Sequence, residues 1–348
     1  MGAVEVVDLF CGVGGLTHGL QKAGLDVVAG VDIDPNCQYP FEANNDSRFY
    51  LKSVDSLTKS EVSGWYSGAD IKVLAGCAPC QPFSSYSQGP KGKQDEKWKL
   101  LYEFQRLIVD TNPDIVTMEN VPQLIKFEVF TDFVTSLEKH KYYVSYQLVE
   151  CEKYGLPQTR KRLVLLASKL GPIELIKPTH DTPEKYLTVK NVIDGLPRLD
   201  AGKISIEDPL HKSSILGELN LKRIMASKPG GTWKDWPKNL VADCHKKESG
   251  RTYVSVYGRM EWDKPSPTIT TQFFGFGNGR FGHPTQNRAL SLREGAILQS
   301  FPVNYKFTPP GESSGMKSVG RLIGNAVPVR LGEVIGISIM KHIETSKD

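Results

Sequence analysis

Short apolar runs at 4–10, 25–31, 49–51, 71–75 and 113–118 alternate with stretches of helical spacing, and most stop at a residue that can do chemistry. That alternation restricts the fold severely. Strands separated by helices pair in parallel, and parallel sheets carry helices on both faces. The carboxyl ends of such strands share one edge, which is where open α/β sheets build their sites. The pattern predicts an α/β fold whose chemistry sits along that edge.

The run at 71–75 leads into Gly76-Cys77-Ala78-Pro79-Cys80-Gln81-Pro82. Pro79 and Pro82 forbid both helix and central strand. Cys80 therefore stands between rigid residues at a strand end, where a thiol of lowered pKa acts as a nucleophile. Cys77 and Cys80 also spell Cys-x-x-Cys, which suits a redox pair or half a zinc site. No second Cys/His pair stands at ligand spacing, so no metal is expected. Taken alone, the segment equally suits a plain structural cysteine.

The first run ends in Asp8-Leu9-Phe10-Cys11-Gly12-Val13-Gly14-Gly15, and Leu16, Leu20 and Ala23 follow at helical spacing. Strand, glycine turn and helix make a cradle in which backbone N–H groups approach a ligand. The dinucleotide fingerprint is broken, because its third glycine would fall on Thr17. A tight turn alone remains the alternative. Asp32 ends the second run about twenty residues past Gly12, where a ribose-binding acid belongs. Ile33 beside it suits an adenine face, and Asp34 before Pro35 suits a helix cap. Asp55 follows the third run and suits either an adenine amino group or an N-cap.

Beyond Cys80, the segment at 84–93 is rich in Gly, Ser and Lys and suits a basic loop over a polyanion. Helices are predicted over 100–109 and 130–137, and strands over 142–149 and 163–167. Glu119 follows the run at 113–118, so consecutive strands bring Cys80 and Glu119 to one edge. Arg160 and Arg162, if in a strand, share one face and suit a phosphate or base carbonyl.

After Ser168 proline, glycine and short segments dominate to about Pro284, which predicts a second, smaller domain with short strands. Further helices are expected over 291–299 and 331–343. The 348 residues carry a net charge of +4, and His211 to Lys264 concentrates the excess of bases. That span also holds Trp233, Trp236, Tyr253, Tyr257 and Trp262, a mixture that fits a nucleic-acid surface or a solvated loop. No apolar run approaches a bilayer span, and no signal peptide is expected. Six cysteines without regular spacing suggest reduced thiols and a cytoplasmic protein.

These segments, in this order, resemble the DNA cytosine-5 methyltransferases of prokaryotic and phage restriction-modification systems. The carriers are the glycine turn, with Cys11 where alanine is common, Pro79-Cys80-Gln81, Glu119-Asn120-Val121, Gln158 to Arg162, Leu290 to Pro302 and Gly324-Asn325. The resemblance implies a Rossmann-like S-adenosylmethionine-dependent sheet over 1–170, a target-recognition domain over 171–285, and a return to the catalytic domain over 286–348. It assigns the cofactor to Phe10, Gly12, Val13, Gly14, Gly15, Asp32, Ile33, Asp55, Ser56, Leu100, Asn325 and Ala326. It assigns catalysis to Cys80, Glu119, Arg160 and Arg162, and it likens Thr270 and Thr271 to recognition residues. The implied substrate is a cytosine flipped out of double-stranded DNA, the partner a cognate restriction endonuclease, and the acting form a monomer.

Other readings are a transfer-RNA methyltransferase, whose Cys-Phe-Thr signature is missing, an inactive binding module, which the intact Cys80, Glu119, Arg160 and Arg162 oppose, and a nicotinamide oxidoreductase, which leaves Pro79-Cys80-Gln81 unexplained.

Overall fold

The computed structural model describes residues 3–79 and 94–346 and separates into two compact units. The first comprises Met1–Cys151, Lys161–Pro178 and Val327–Asp348; the second comprises Glu152–Arg160 and Thr179–Ala326.

The first unit carries a seven-stranded sheet of β1 (Val4–Leu9), β2 (Asp26–Asp32), β3 (Arg48–Leu51), β4 (Ile71–Gly76), β5 (Ile115–Asn120), β6 (Tyr143–Glu150) and β7 (Lys161–Ser168). Their spatial order is β3-β2-β1-β4-β5-β7-β6. β1 to β5 run parallel, and β7 is antiparallel to both of its neighbours. Val6, Val7, Leu9, Val27, Ala29, Val31, Val73 and Leu74 are fully buried, as strands covered on both faces require. The strand order reverses around β1, with β2 on one side and β4 on the other. Such a reversal opens a crevice outside the carboxyl ends of the two strands.

Helices α1 (Gly15–Lys22), α2 (Gln38–Glu42), α3 (Lys59–Trp65), α4 (Gln94–Thr111) and α5 (Glu128–Lys139) connect these strands. On α4 the spacing of Leu101, Phe104, Leu107 and Ile108 lays one apolar stripe in the core of the sheet. Thr58 and Glu61 form a capping box at the start of α3, so the cap falls to Thr58 rather than Asp55.

The second unit holds α6 (Val189–Ile193), α7 (Glu218–Ala226), α8 (Asp243–Lys246), α9 (Leu292–Leu298) and α10 (Met316–Asn325). The short strands expected here are replaced by isolated bridges such as Ile204 with Lys212 and Gly282 with Ala289. Backbone carbonyls outside a ladder still need donors. Buried Arg259 supplies them, donating to the carbonyls of Ile224, Ser227, His283 and Gln286.

Trp233 and Trp236 also depart from expectation. They are buried with Ile224, Phe276 and Ala289 as an apolar core of this unit. The Trp233 ring stacks on His245 at 4.4 Å, and the Arg223 guanidinium lies over Trp236 and Tyr257. Aromatic and basic residues interleaved in sequence here pair with one another inside the unit, while Tyr253 stays exposed.

The chain returns to the first unit in α11 (Val329–Thr345), which packs on α1. Their approach is close because both helices present glycine. A Cβ on Gly19 would lie 2.3 Å from the Val329 carbonyl oxygen, and one on Gly336 would lie 2.6 Å from the Ala23 Cβ. By length and composition alone, Met316–Thr345 would pass for a membrane span. It breaks between α10 and α11 at Pro328, and 78% of its most apolar window is buried inside the protein, which marks core helices.

Candidate functional site

In the first unit, the turn after β1 is held in an unusual backbone. Phe10 (φ 60°), Gly12 (φ 53°) and Gly14 (φ 85°) all occupy the left-handed region. A non-glycine residue there is strained and persists only where its surroundings enforce it. The enforcing contacts are visible. Cys11 N donates to the Val31 carbonyl at 3.0 Å, and Gly12 N donates to Asp32 Oδ2 at 2.9 Å. The other oxygen, Asp32 Oδ1, accepts from Asp34 N at 2.9 Å. Asp32 therefore organises the loop as well as facing the strand end. A Cβ on Gly12 would meet nothing within 4 Å, so the turn borders open space.

Ile33 next to it is 69% exposed, a branched apolar side chain left uncovered at the strand end. Asp34 caps the 3-10 turn at Pro35–Cys37 by accepting from Asn36 N, as its sequence context predicts. Asp55 and Ser56 lie in the 3-10 turn Val54–Ser56. The Lys99 ammonium on α4 sits 2.8 Å from Asp55 Oδ2, and hydrogen bonds from Lys99 and Ser53 hold that carboxyl below its usual range. Val13, Gly14 and Gly15 continue the turn into α1, and Leu100 is half-buried on α4.

Under the turn lies Asp8, completely buried on β1. Its Oδ2 accepts from Thr17 Oγ1 at 2.7 Å. Burial, with a further push from Asp32, raises its carboxyl to about 7. Sequence reasoning passed over Asp8; the available signal was a carboxylate between Val7 and Leu9 at the end of a mostly apolar strand.

The end of β4 adjoins the same edge. Cys77 N donates to the Leu9 carbonyl at 3.2 Å. Asn120 Nδ2, from the end of β5, donates to the Ala78 carbonyl at 3.1 Å and fixes the backbone ahead of Pro79. Burial and the neighbouring Glu119 push the Cys77 thiol well above its ordinary value, which disfavours Cys77 as a thiolate for redox or metal chemistry. Cys80 lies outside the described residues, as does the loop at 84–93. Among the described residues, the cysteines are free and no cluster of metal-binding side chains occurs.

Glu119 is buried at the end of β5, within the strand rather than after it. Arg162 on β7 brings its Nε to 2.8 Å from Glu119 Oε1. That contact is an ion pair without hydrogen-bond alignment, since the same oxygen has no aligned donor. Arg162 Nη1 donates to the Lys161 carbonyl at 2.7 Å.

Arg160 lies outside the strand that carries Arg162. β7 starts at Lys161, and Arg160 belongs to the second unit, 3% exposed, where its Nη1 donates to Gln158 Oε1 and the Ile269 carbonyl. Sequence spacing placed two arginines on one strand; the strand begins one residue too late. Gln158 is fully buried and donates to the Leu298 carbonyl and to Gln299 Oε1. Gln299 in turn donates to the Ile323 carbonyl at 2.9 Å. Asn325 and Ala326 close α10 in this unit. Thr270 is exposed and Thr271 half-buried, and a Cβ on Gly324 would lie 2.4 Å from the Thr270 carbonyl.

A family model of C-5 cytosine-specific DNA methylases matches residues 4–341. The chain is 54% identical over 342 residues to the Type II methylase M.HgiDII of Herpetosiphon aurantiacus, covering 97% of this chain and 96% of that one. It is 30% identical to the Type II methyltransferase M1.HphI of Haemophilus parahaemolyticus, covering 97% and 87%. Among solved structures, a prophage-encoded Escherichia coli protein superposes with a TM-score of 0.74 at 21% identity, covering 98% of this chain and 100% of that one. At that identity the likeness speaks for the fold.

Proposed function

The chain belongs to the C-5 cytosine-specific DNA methylases, and on that premise we propose that it methylates a cytosine flipped out of a double-stranded DNA site, through a covalent bond to Cys80. The observation that carries the reading is the Glu119–Arg162 pair at the end of β5, beside a β4 terminus that Asn120 pins just ahead of Cys80.

The residues of the first unit fit S-adenosylmethionine. The left-handed turn from Phe10 through Gly12, Val13, Gly14 and Gly15 would receive its methionine part, Asp32 the ribose hydroxyls, and exposed Ile33 the adenine face. Asp55, Ser56 and Leu100 would border the adenine, and the family resemblance adds Asn325 and Ala326. Bound, the cofactor supplies a methyl group on positively charged sulfur.

A base inside the helix stack is out of reach of any side chain, so the cytosine must leave it. The Cys80 thiolate adds to ring carbon 6, and the electrons of the 5,6 double bond move toward carbon 5. Glu119 holds ring nitrogen 3 and supplies a proton or hydrogen bond as charge develops. Arg162 bonds the ring carbonyl, with its Nε kept beside Glu119. Arg160 would assist at the thiolate or a phosphate. Carbon 5 would take the methyl group, whose bond to sulfur breaks to leave a neutral thioether, and loss of the carbon-5 proton then restores the double bond and expels Cys80. The span at 171–285 would read the DNA site. We place the reaction in the cytoplasm, carried out by a monomer that shares its site with a cognate endonuclease.

The test uses labelled S-adenosylmethionine with unmethylated genomic DNA and, separately, transfer RNA, with nucleosides identified by mass. The expected product is 5-methylcytosine from DNA. Label on an exocyclic amino group would overturn the Cys80 mechanism, and label on RNA alone would overturn the substrate. DNA bearing 5-fluorocytosine, whose fluorine cannot leave as a proton does, should trap an adduct that Cys80→Ser abolishes.

A further inference from the structure

Asp8 has no part in the mechanism above, yet its setting is unusual. The side chain is 0% exposed. One oxygen accepts from Thr17 Oγ1, and the other, Oδ1, is buried with no hydrogen-bond partner. A buried carboxyl with a bare oxygen must be neutral or be balanced by a cation. Among the described residues, no cation acts directly on Asp8. Thr17 comes from α1, Asp32 from β2, Cys11 from the turn and Cys77 from beyond β4, with Glu119 and Arg162 acting on Cys77 behind it. Asp32, the charge that acts on Asp8, has the same sign. Asp8 and Asp32 also grip the two sides of one turn, through Thr17 and Gly12 respectively.

We propose that Asp8 lets the site distinguish the sulfonium cofactor from its uncharged thioether product, by releasing its proton when positive charge occupies the turn and keeping it otherwise. This rests on the reading of the turn as the S-adenosylmethionine site. The two ligands differ in one methyl group and one charge, so a contact-based pocket separates them poorly. A buried carboxyl responds to the charge itself. Held near neutrality by burial, Asp8 has a proton to give in the working range. A unit charge on the order of 10 Å away, at an effective dielectric of about 20, lowers such a pKa by roughly one unit.

The experiment is calorimetric binding of S-adenosylmethionine and S-adenosylhomocysteine to the full chain from pH 5.5 to 8. Buffers of different ionisation enthalpy report proton release. The wild type should gain about tenfold in preference for the sulfonium across that range, releasing protons only with that ligand. In Asp8→Asn the preference should not change with pH. Thr17→Val removes the hydroxyl that favours the ionised form, so its transition should move to higher pH, which provides a second readout if Asp8→Asn does not fold. A preference independent of pH in the wild type, or an unchanged slope in Asp8→Asn, overturns the proposal. Binding of neither ligand overturns the cofactor reading and this proposal with it.

Discussion

Replacing Glu294 by Gln tests how the second unit is held together without strands. Arg288 and Glu294 are both essentially inaccessible to solvent. Arg288 donates to both carboxylate oxygens, each at 2.7 Å, and Ser291 N adds a third bond at 2.7 Å. Burial works to raise this carboxyl, but the Arg288 hydrogen bonds and charge overcome it and hold Glu294 at about 2 against an ordinary 4.5. His283, 3.6 Å away, is pushed down to about 4 by burial and is neutral at pH 7, so it cannot replace the lost charge.

The fall from 4.5 to about 2 corresponds to about 3 kcal/mol, at about 1.4 kcal/mol per pH unit. Removing one member of a buried pair independently costs roughly 3–5 kcal/mol, because the partner is left uncompensated. Glu294→Gln should therefore lose about 3 kcal/mol at pH 7, a large share of a typical 5–15 kcal/mol stability. The pH dependence has a definite sign. A depressed carboxyl stabilises above its unfolded pKa and loses that contribution as pH falls through the folded one. The wild type should weaken between about pH 4.5 and 2, and the variant should lack that limb. Urea unfolding followed by tryptophan fluorescence is suitable, since Trp233 and Trp236 lie in this unit. A variant within about 1 kcal/mol of wild type at pH 7 would refute the reasoning.

Glu119→Gln should lower kcat by about 10²–10⁴ with cofactor affinity within about twofold, since Glu119 is assigned to the base; parallel loss of S-adenosylhomocysteine binding in titration would contradict that assignment. Gly332→Leu should destabilise by about 1–3 kcal/mol, because a Cβ there would lie 2.8 Å from the Leu16 carbonyl oxygen and backbone cannot yield as a side chain does. Scanning calorimetry showing an unchanged Tm would rule out the close α1–α11 contact.

Much of the first unit was legible in the chain. Strands covered on both faces must be apolar along their length, so β1, β2, β4 and β5 stand out as runs, and the candidate site residues stand where those runs stop. Asp32 and Glu119 were found that way. Local order also identified the Ser291 region as a helix start, whereas the cap that Asp55 was offered for falls to Thr58.

What the sequence by itself determined, then, is the parallel core, the strand-end residues and the family to which they point, because periodicity and local stereochemistry act over a few residues. Only the tertiary structure decided that Arg160 leaves the strand that holds Arg162, that Trp233 and Trp236 form a core, and that Asp8 is sealed beneath the turn. Those outcomes depend on which distant segment supplies a donor, a ring or a layer of cover. Gln158 meets Gln299, and Asn120 meets Ala78, only after the chain has closed on itself. Burial and long-range pairing set the charge of a buried group, and neither can be read from its neighbours in sequence.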